Sequence, residues 1–158
     1  MIFVTVGSQM AFDRMVNIVD EWAKKTSRND IVAQIGMSSE KFDNIDCYEG
    51  FTSEEFKNKI EQADVVIGHA GMGTILTCLE IGKPLLIMAR EGSLKETRND
   101  HQIATKNWVK DWDYIFEFHS IETLESAYNA AIAIKSLPTR NQHSESELVD
   151  FLKEVIHL

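Results

Sequence analysis

His69, Gly71, Gly73 and Thr74 fall within six consecutive positions, directly after the apolar run Asp64-Val65-Val66-Ile67 and Gly68. A β-branched run of that kind reads as a buried parallel strand. The segment that follows, Ile75 to Ile81, is apolar and stops at Gly82-Lys83-Pro84, the order expected at a helix C-terminus. Strand, glycine turn and helix in that order make an anion site. Glycines let the backbone come close to a ligand, and the unpaired N–H groups of a helix's first turn point toward it. Thr74 adds a hydroxyl and His69 a donor whose charge can adjust. The expected occupant is phosphate, above all the diphosphate of a nucleotide. Against this stands the plain structural reading: many glycine-bearing strand-to-helix turns bind nothing, and a single histidine is often a satisfied structural residue.

The totals narrow the field. The 158 residues allow one domain with a good core, expected to span 1–158. A formal charge of −9 argues against nucleic acid as a partner, because neutralising phosphates needs clustered Lys and Arg. It also disfavours direct docking on an anionic membrane. No apolar run reaches membrane-spanning length, and no basic region precedes the first apolar stretch, so a cytoplasmic location is expected. Cys47 and Cys78 are too few for a disulfide framework. The five histidines show no metal-ligand spacing with a cysteine or each other, and neither metal nor cofactor is expected.

The elements that must position the glycine turn alternate along the chain. Ile2 to Val6 reads as a strand ended by Gly7-Ser8-Gln9, then a helix from about Ala11 to Lys25 with Phe12, Met15, Val16, Val19 and Trp22 on one face. Ile31 to Ile35 is a second strand, Met37 to Asp46 a polar loop, and Cys47 to Glu49 a short third strand. Thr52 or Ser53 caps a helix running to about Gln62. After the central strand and helix come the strand Leu85 to Met88, a charged loop from Ala89 to Asn99, and a helix from His101 to Lys110 capped by Asp100. Tyr114 to Phe118 is the last strand, Ile121 to Lys135 a helix, and about 144–157 a final amphipathic helix. Such alternation predicts an α/β fold, a Rossmann-like doubly wound parallel sheet of six strands in the order 3-2-1-4-5-6. Ligands bind beyond the strand carboxyl ends where that order reverses. Gly7 and Ser8, the Gly68 to Thr74 turn, and Arg90 with Glu91 should therefore converge on one crevice.

The combination of VTVGS…FDRMV, ADVVIGHAGMGT, GKPLLIM and NDHQ, in this order on matching elements, resembles the nucleotide-sugar-binding half of GT-B glycosyltransferases. Within these it is most similar to glycosyltransferase family 28 C-terminal domains. These include the soluble subunits of split enzymes that act on dolichol- or polyprenol-linked sugars, and those of bacterial exopolysaccharide and capsule synthesis. The resemblance covers roughly residues 1–110. It implies that Gly7, Ser8, His69, Gly71, Gly73 and Thr74 meet the donor diphosphate. Thr77, Arg90, Glu91, His101 and Gln102 are then the candidates for the donor's sugar and nucleoside. An amide such as Gln102 both donates and accepts, and suits a pair of hydroxyls. One departure stands out. Many family members carry a glutamate for the ribose hydroxyls three residues after the position of Thr74, and here Thr77 occupies it.

The implied reaction is inverting transfer of a sugar, from UDP as carrier, to a lipid-linked saccharide. The general base is unassigned, with His69 and His101 as weak candidates. In GT-B enzymes the acceptor side belongs to another domain, so a membrane-anchored partner subunit is implied, which would recruit the chain to the inner face of the membrane. Two other readings stay open. One is a non-catalytic enhancer or scaffold subunit of such a complex, favoured by Thr77. The other is a dinucleotide-dependent oxidoreductase, since Glu91 lies 20 residues after Gly71. Against the latter, GSQMAF after the first strand lacks the G-x-G-x-x-G spacing.

Overall fold

A computed structural model of the chain describes residues 1–8 and 10–134. The helix expected over about 144–157 lies outside the described residues. The six strands β1 (Ile2–Thr5), β2 (Ile31–Gln34), β3 (Asp46–Tyr48), β4 (Val65–His69), β5 (Leu85–Met88) and β6 (Ile115–Glu117) form one sheet. Its order is β3-β2-β1-β4-β5-β6 and every pairing is parallel, as expected from the alternation of elements. The order reverses between β1 and β4, where Ile67 pairs with Val4 and Gly68 with Thr5.

Strand side chains alternate between two cores. Ile2, Val4, Val65, Ile67, Leu86 and Met88 face the helices α1 (Asp13–Thr26) and α5 (Ile121–Ile132). Phe3, Val66, Leu85 and Ile87 face α2 (Ser53–Gln62), α3 (Met72–Ile81) and α4 (His101–Val109). Because helices cover both faces, the central strands can be apolar at every position. Trp22 of α1 is 1% exposed, and burying so large a side chain contributes on the order of 3 kcal/mol.

Local signals set most of the boundaries. Thr52 caps α2 in a full capping box with Glu55, and Ser120 caps α5 with Thr123. Gly82 ends α3 in the left-handed conformation (φ 75°), with Pro84 two residues beyond.

Three expectations are corrected. The polar loop before β3 carries Phe42 and Ile45, both buried in the core beneath α1. Asp100 stands at the N-cap position of α4, yet its carboxylate accepts from the Gly92 N–H (2.8 Å) and not from the helix. The third correction fixes the site: α3 begins at Met72, not near Ile75, so Gly73 and Thr74 lie inside its first turn and His69 is the last residue of β4.

Candidate functional site: the crevice between β1, β4 and β5

The turn between β4 and α3 is two residues long, Ala70 and Gly71. Ala70 is fixed by its N–H to the Met88 carbonyl (3.2 Å) and Ile75 by its N–H to the Gly71 carbonyl (3.1 Å). No side chain caps α3, so the N–H groups of Met72, Gly73 and Thr74 have no partner among the described residues. They form the positive end of the helix, at the carboxyl edge of the sheet. Around Gly73 there is open space. Thr74 itself is buried, its methyl against Gly68.

The ring of His69 fills the gap between two turns. A Cβ on Gly7 would lie 2.5 Å from its Nε2, and one on Gly71 would overlap the ring. Gly7 has φ +80°, so both its conformation and its neighbour demand glycine. Its own N–H is taken by the Thr5 hydroxyl (3.1 Å), which donates to Gln34 Oε1 (2.9 Å) inside the sheet. The Nδ1 atom of His69 is buried without a partner. Burial foremost, then the nearby Arg90 charge, push the His69 pKa down to about 4 against an opposing contribution from the neighbouring Gln102 side chain. The imidazole is therefore neutral near pH 7.

The predicted residues separate into groups. Gly7, His69, Gly71 and Gln102 come together, with Gly73 and Thr74 on the adjoining helix turn; Ser8 is exposed beside Gly7. Gln102, in the first turn of α4, accepts from the Arg90 N–H (3.2 Å). His101 beside it is exposed, with its N–H on the Asn99 side chain (3.2 Å). Thr77 turns its hydroxyl back onto the Gly73 carbonyl (2.8 Å).

Arg90 and Glu91, expected to meet the donor's sugar and nucleoside, have partners within the protein. Arg90 is 4% exposed, and all four of its Nη hydrogens are committed to main-chain carbonyls. Glu91 faces Arg14 at 3.6 Å. The charged loop is thus held in place: both carboxylate oxygens of Glu96 accept from Arg14 (2.7 and 2.8 Å), and Oε2 also takes the Glu91 N–H (2.9 Å). Burial alone would raise the Glu96 pKa, but its partners outweigh that and hold it below the ordinary value.

Sequence reasoning missed Thr5, Gln34, Arg14 and Glu96. The first two had a signal, a polar residue at the carboxyl end of an otherwise apolar strand. Arg14 and Glu96 lie 82 positions apart and had none. A separate cavity of about 270 Å³ opens at the carboxyl ends of β2 and β3, lined by Gly36, Met37, Ser38, Cys47, Tyr48 and Glu49. No candidate residue lines it.

Family comparison fits this geometry. Residues 1–155 match the glycosyltransferase family 28 C-terminal domain. The chain belongs to that family. It is 33% identical over 128 residues to the human UDP-N-acetylglucosamine transferase subunit ALG13, covering 73% of this chain and 11% of that protein. It is 30% identical over 112 residues to the Clostridium botulinum UDP-N-acetylglucosamine--N-acetylmuramyl-(pentapeptide) pyrophosphoryl-undecaprenol N-acetylglucosamine transferase, covering 67% and 30% respectively. The chain thus spans about a tenth of the human relative and under a third of the bacterial one. The fold is shared with the NMR solution structure of ALG13, at TM-score 0.63 and 18% identity over 99% of this chain and 96% of that one. It is shared also with the crystal structure of the kitacinnamycin glycotransferase, at TM-score 0.64 and 18% identity over 84% and 35%. The fold is therefore that of one half of a GT-B glycosyltransferase, as the family resemblance implies. Among the described residues no helix is long and apolar enough to cross a membrane.

Proposed function

We propose that the family 28 domain formed by this chain is the donor-binding part of an inverting glycosyltransferase. It would move a sugar from a UDP-sugar to a lipid-linked saccharide. The observation that carries the reading is the uncapped first turn of α3, with three free N–H groups, set beside the buried His69 and the amide of Gln102. Hydrogen-bond donors fixed in place before reaction suit a diphosphate whose negative charge grows as the sugar leaves. The relatives' names make UDP-N-acetylglucosamine the first donor to test.

Each residue then has a task. The N–H groups of Met72, Gly73 and Thr74 hold the phosphates, His69 adds one neutral N–H or lone pair, and Gln102 reads sugar hydroxyls. An acceptor hydroxyl must also lose its proton. His69, with a pKa of about 4, is a weak base, because a general base works best with a pKa near the operating pH. We assign that base to the part that presents the acceptor: a membrane-anchored partner subunit, which would also draw the chain to the inner face of the membrane. The reading needs no cofactor and no metal.

Calorimetry with UDP and UDP-N-acetylglucosamine tests the donor site, combined with amide spectra recorded with and without ligand. Binding that shifts Gly71, Gly73 and Thr74 is expected. An absence of binding, or shifts confined to the cavity at Met37 and Tyr48, would overturn it. The Thr77 hydroxyl, spent on Gly73, favours one second reading, a scaffold subunit that holds no nucleotide; the same titration separates the two.

A further inference from the structure

We propose that Arg90 is a positioning residue for the crevice, locking the turn after β1 and the first turn of α4 into one arrangement around His69. The inference rests on reading the crevice as a nucleoside-diphosphate site. The Arg90 guanidinium donates to the carbonyls of Val6 (2.7 Å), Met10 (2.6 Å) and Ala11 (2.7 Å), all on the connection from β1 to α1. Its fourth Nη hydrogen goes to the Glu96 carbonyl (3.1 Å), on the loop after β5. The main-chain N–H of Arg90 meanwhile holds Gln102. The Gln102 side chain lies beside the imidazole of His69, and that ring abuts Gly7, the residue after Val6. The contacts close a circle through Arg90, Val6, Gly7, His69 and Gln102.

Chemistry explains why this position needs arginine. A planar fork can serve carbonyls on two separate segments at once, whereas an ammonium offers three donors from one point. The Phe12 ring lies against the guanidinium, 4.7 Å from its carbon. Among the described residues no carboxylate bonds it directly, although the Glu96 and Asp13 charges favour it from a distance, and a charge buried on carbonyls is costly compared with apolar packing. Such a cost at the wall of the crevice is what a site requirement produces. The buried charge also adds a positive field behind the uncapped turn of α3, and its influence already reaches His69.

The test compares wild type, R90K and Q102A by UDP calorimetry and by ligand-free amide spectra. R90K keeps the charge and loses the fork, so the UDP dissociation constant should rise by about tenfold or more. The Gly7 amide and the Gln102 side-chain amide should move together, while β2 and β3 stay unchanged. Unchanged UDP affinity in R90K, or silence at Gly7 and Gln102, overturns the proposal even if the variant is less heat-stable. Wild type failing to bind UDP would sink the diphosphate reading; the ligand-free spectra would then decide the role of Arg90, joint movement supporting it and silence ending it. Should R90K not fold, Q102A serves, since it removes one link outside the core. A shift at Gly7, two links away in the circle, supports the proposal, and no shift there overturns it.

Discussion

The imidazole of His69 stands where a side chain on Gly7 would have to be: a methyl there would sit 2.5 Å from Nε2. Gly71 presses on the same ring from the turn before α3. The two glycines differ in backbone, however. Gly7 has φ +80°, whereas Gly71 has φ −94°, which any residue adopts. G7A should therefore lose stability through both strain, about 1 kcal/mol, and collision, and G71A through collision alone. Adding H69A should rescue G71A almost fully and G7A only in part. Urea unfolding of the single and double variants measures this; equal rescue of both would refute it.

Acid should weaken the fold through His69. Its folded pKa is about 4 against 6.5 for the free side chain. Above pH 6.5 neither state binds that proton. Between 6.5 and 4 the unfolded chain takes it up and the folded chain does not, so stability falls as pH falls. The loss approaches about 3 kcal/mol near pH 4, at 1.36 kcal/mol per unit. Unfolding free energies of wild type and H69N from pH 7 to 4 should diverge in that window, the variant having the flatter profile.

Thr77 spends its hydroxyl on the Gly73 carbonyl, a common local bond for threonine within a helix. T77V should leave UDP affinity nearly unchanged. T77E restores the carboxylate that family resemblance places here, and charged hydrogen bonds are worth about 1.5–3 kcal/mol. UDP binding should tighten by about tenfold or more, and UDP should gain over its 2′-deoxy analogue. Calorimetry with both nucleotides decides; equal gains would show that the new carboxylate misses the ribose.

Thr5 links Gln34 to the N–H of Gly7 from inside the sheet. T5V is nearly the same shape but leaves a buried amide oxygen and the Gly7 N–H without their partner. A cost of about 1–3 kcal/mol is expected in urea unfolding. The Gly7 amide resonance should move at the same time. A neutral substitution would mean that water replaces the hydroxyl.

Neither thiol should react readily in the folded chain. Burial pushes the Cys78 pKa up to about 12 and raises that of half-buried Cys47 as well. Iodoacetamide labelling at pH 7.5 should reach Cys78 only in denaturant, with Cys47 intermediate. Rapid native labelling of Cys78 would contradict its packing on α3.

The sequence by itself determined the sheet. Strand runs such as Leu85 to Met88, helices with one apolar face, and connections too short to wander leave few right-handed arrangements, and the observed strand order is the one expected. Turn chemistry at Thr52 and Gly82 is equally local and equally readable. The glycine turn could be assigned to the crevice because topology places every strand's carboxyl end on the same edge, whereas Gln102 was assigned by family resemblance alone. What the tertiary structure alone decided is which polar groups remain available there. Arg90 looks like a free cation in a charged loop, yet its bonds go to carbonyls up to 84 positions away. Asp100 has a cap's residue type but answers to Gly92. His69 keeps an unpaired Nδ1 and a depressed pKa because the surrounding turns bury it, Gly7 and Gly71 among them, and because the Arg90 charge lies near. Hydrogen bonds and burial between distant segments depend on three-dimensional proximity, and residue type and spacing carry no record of it.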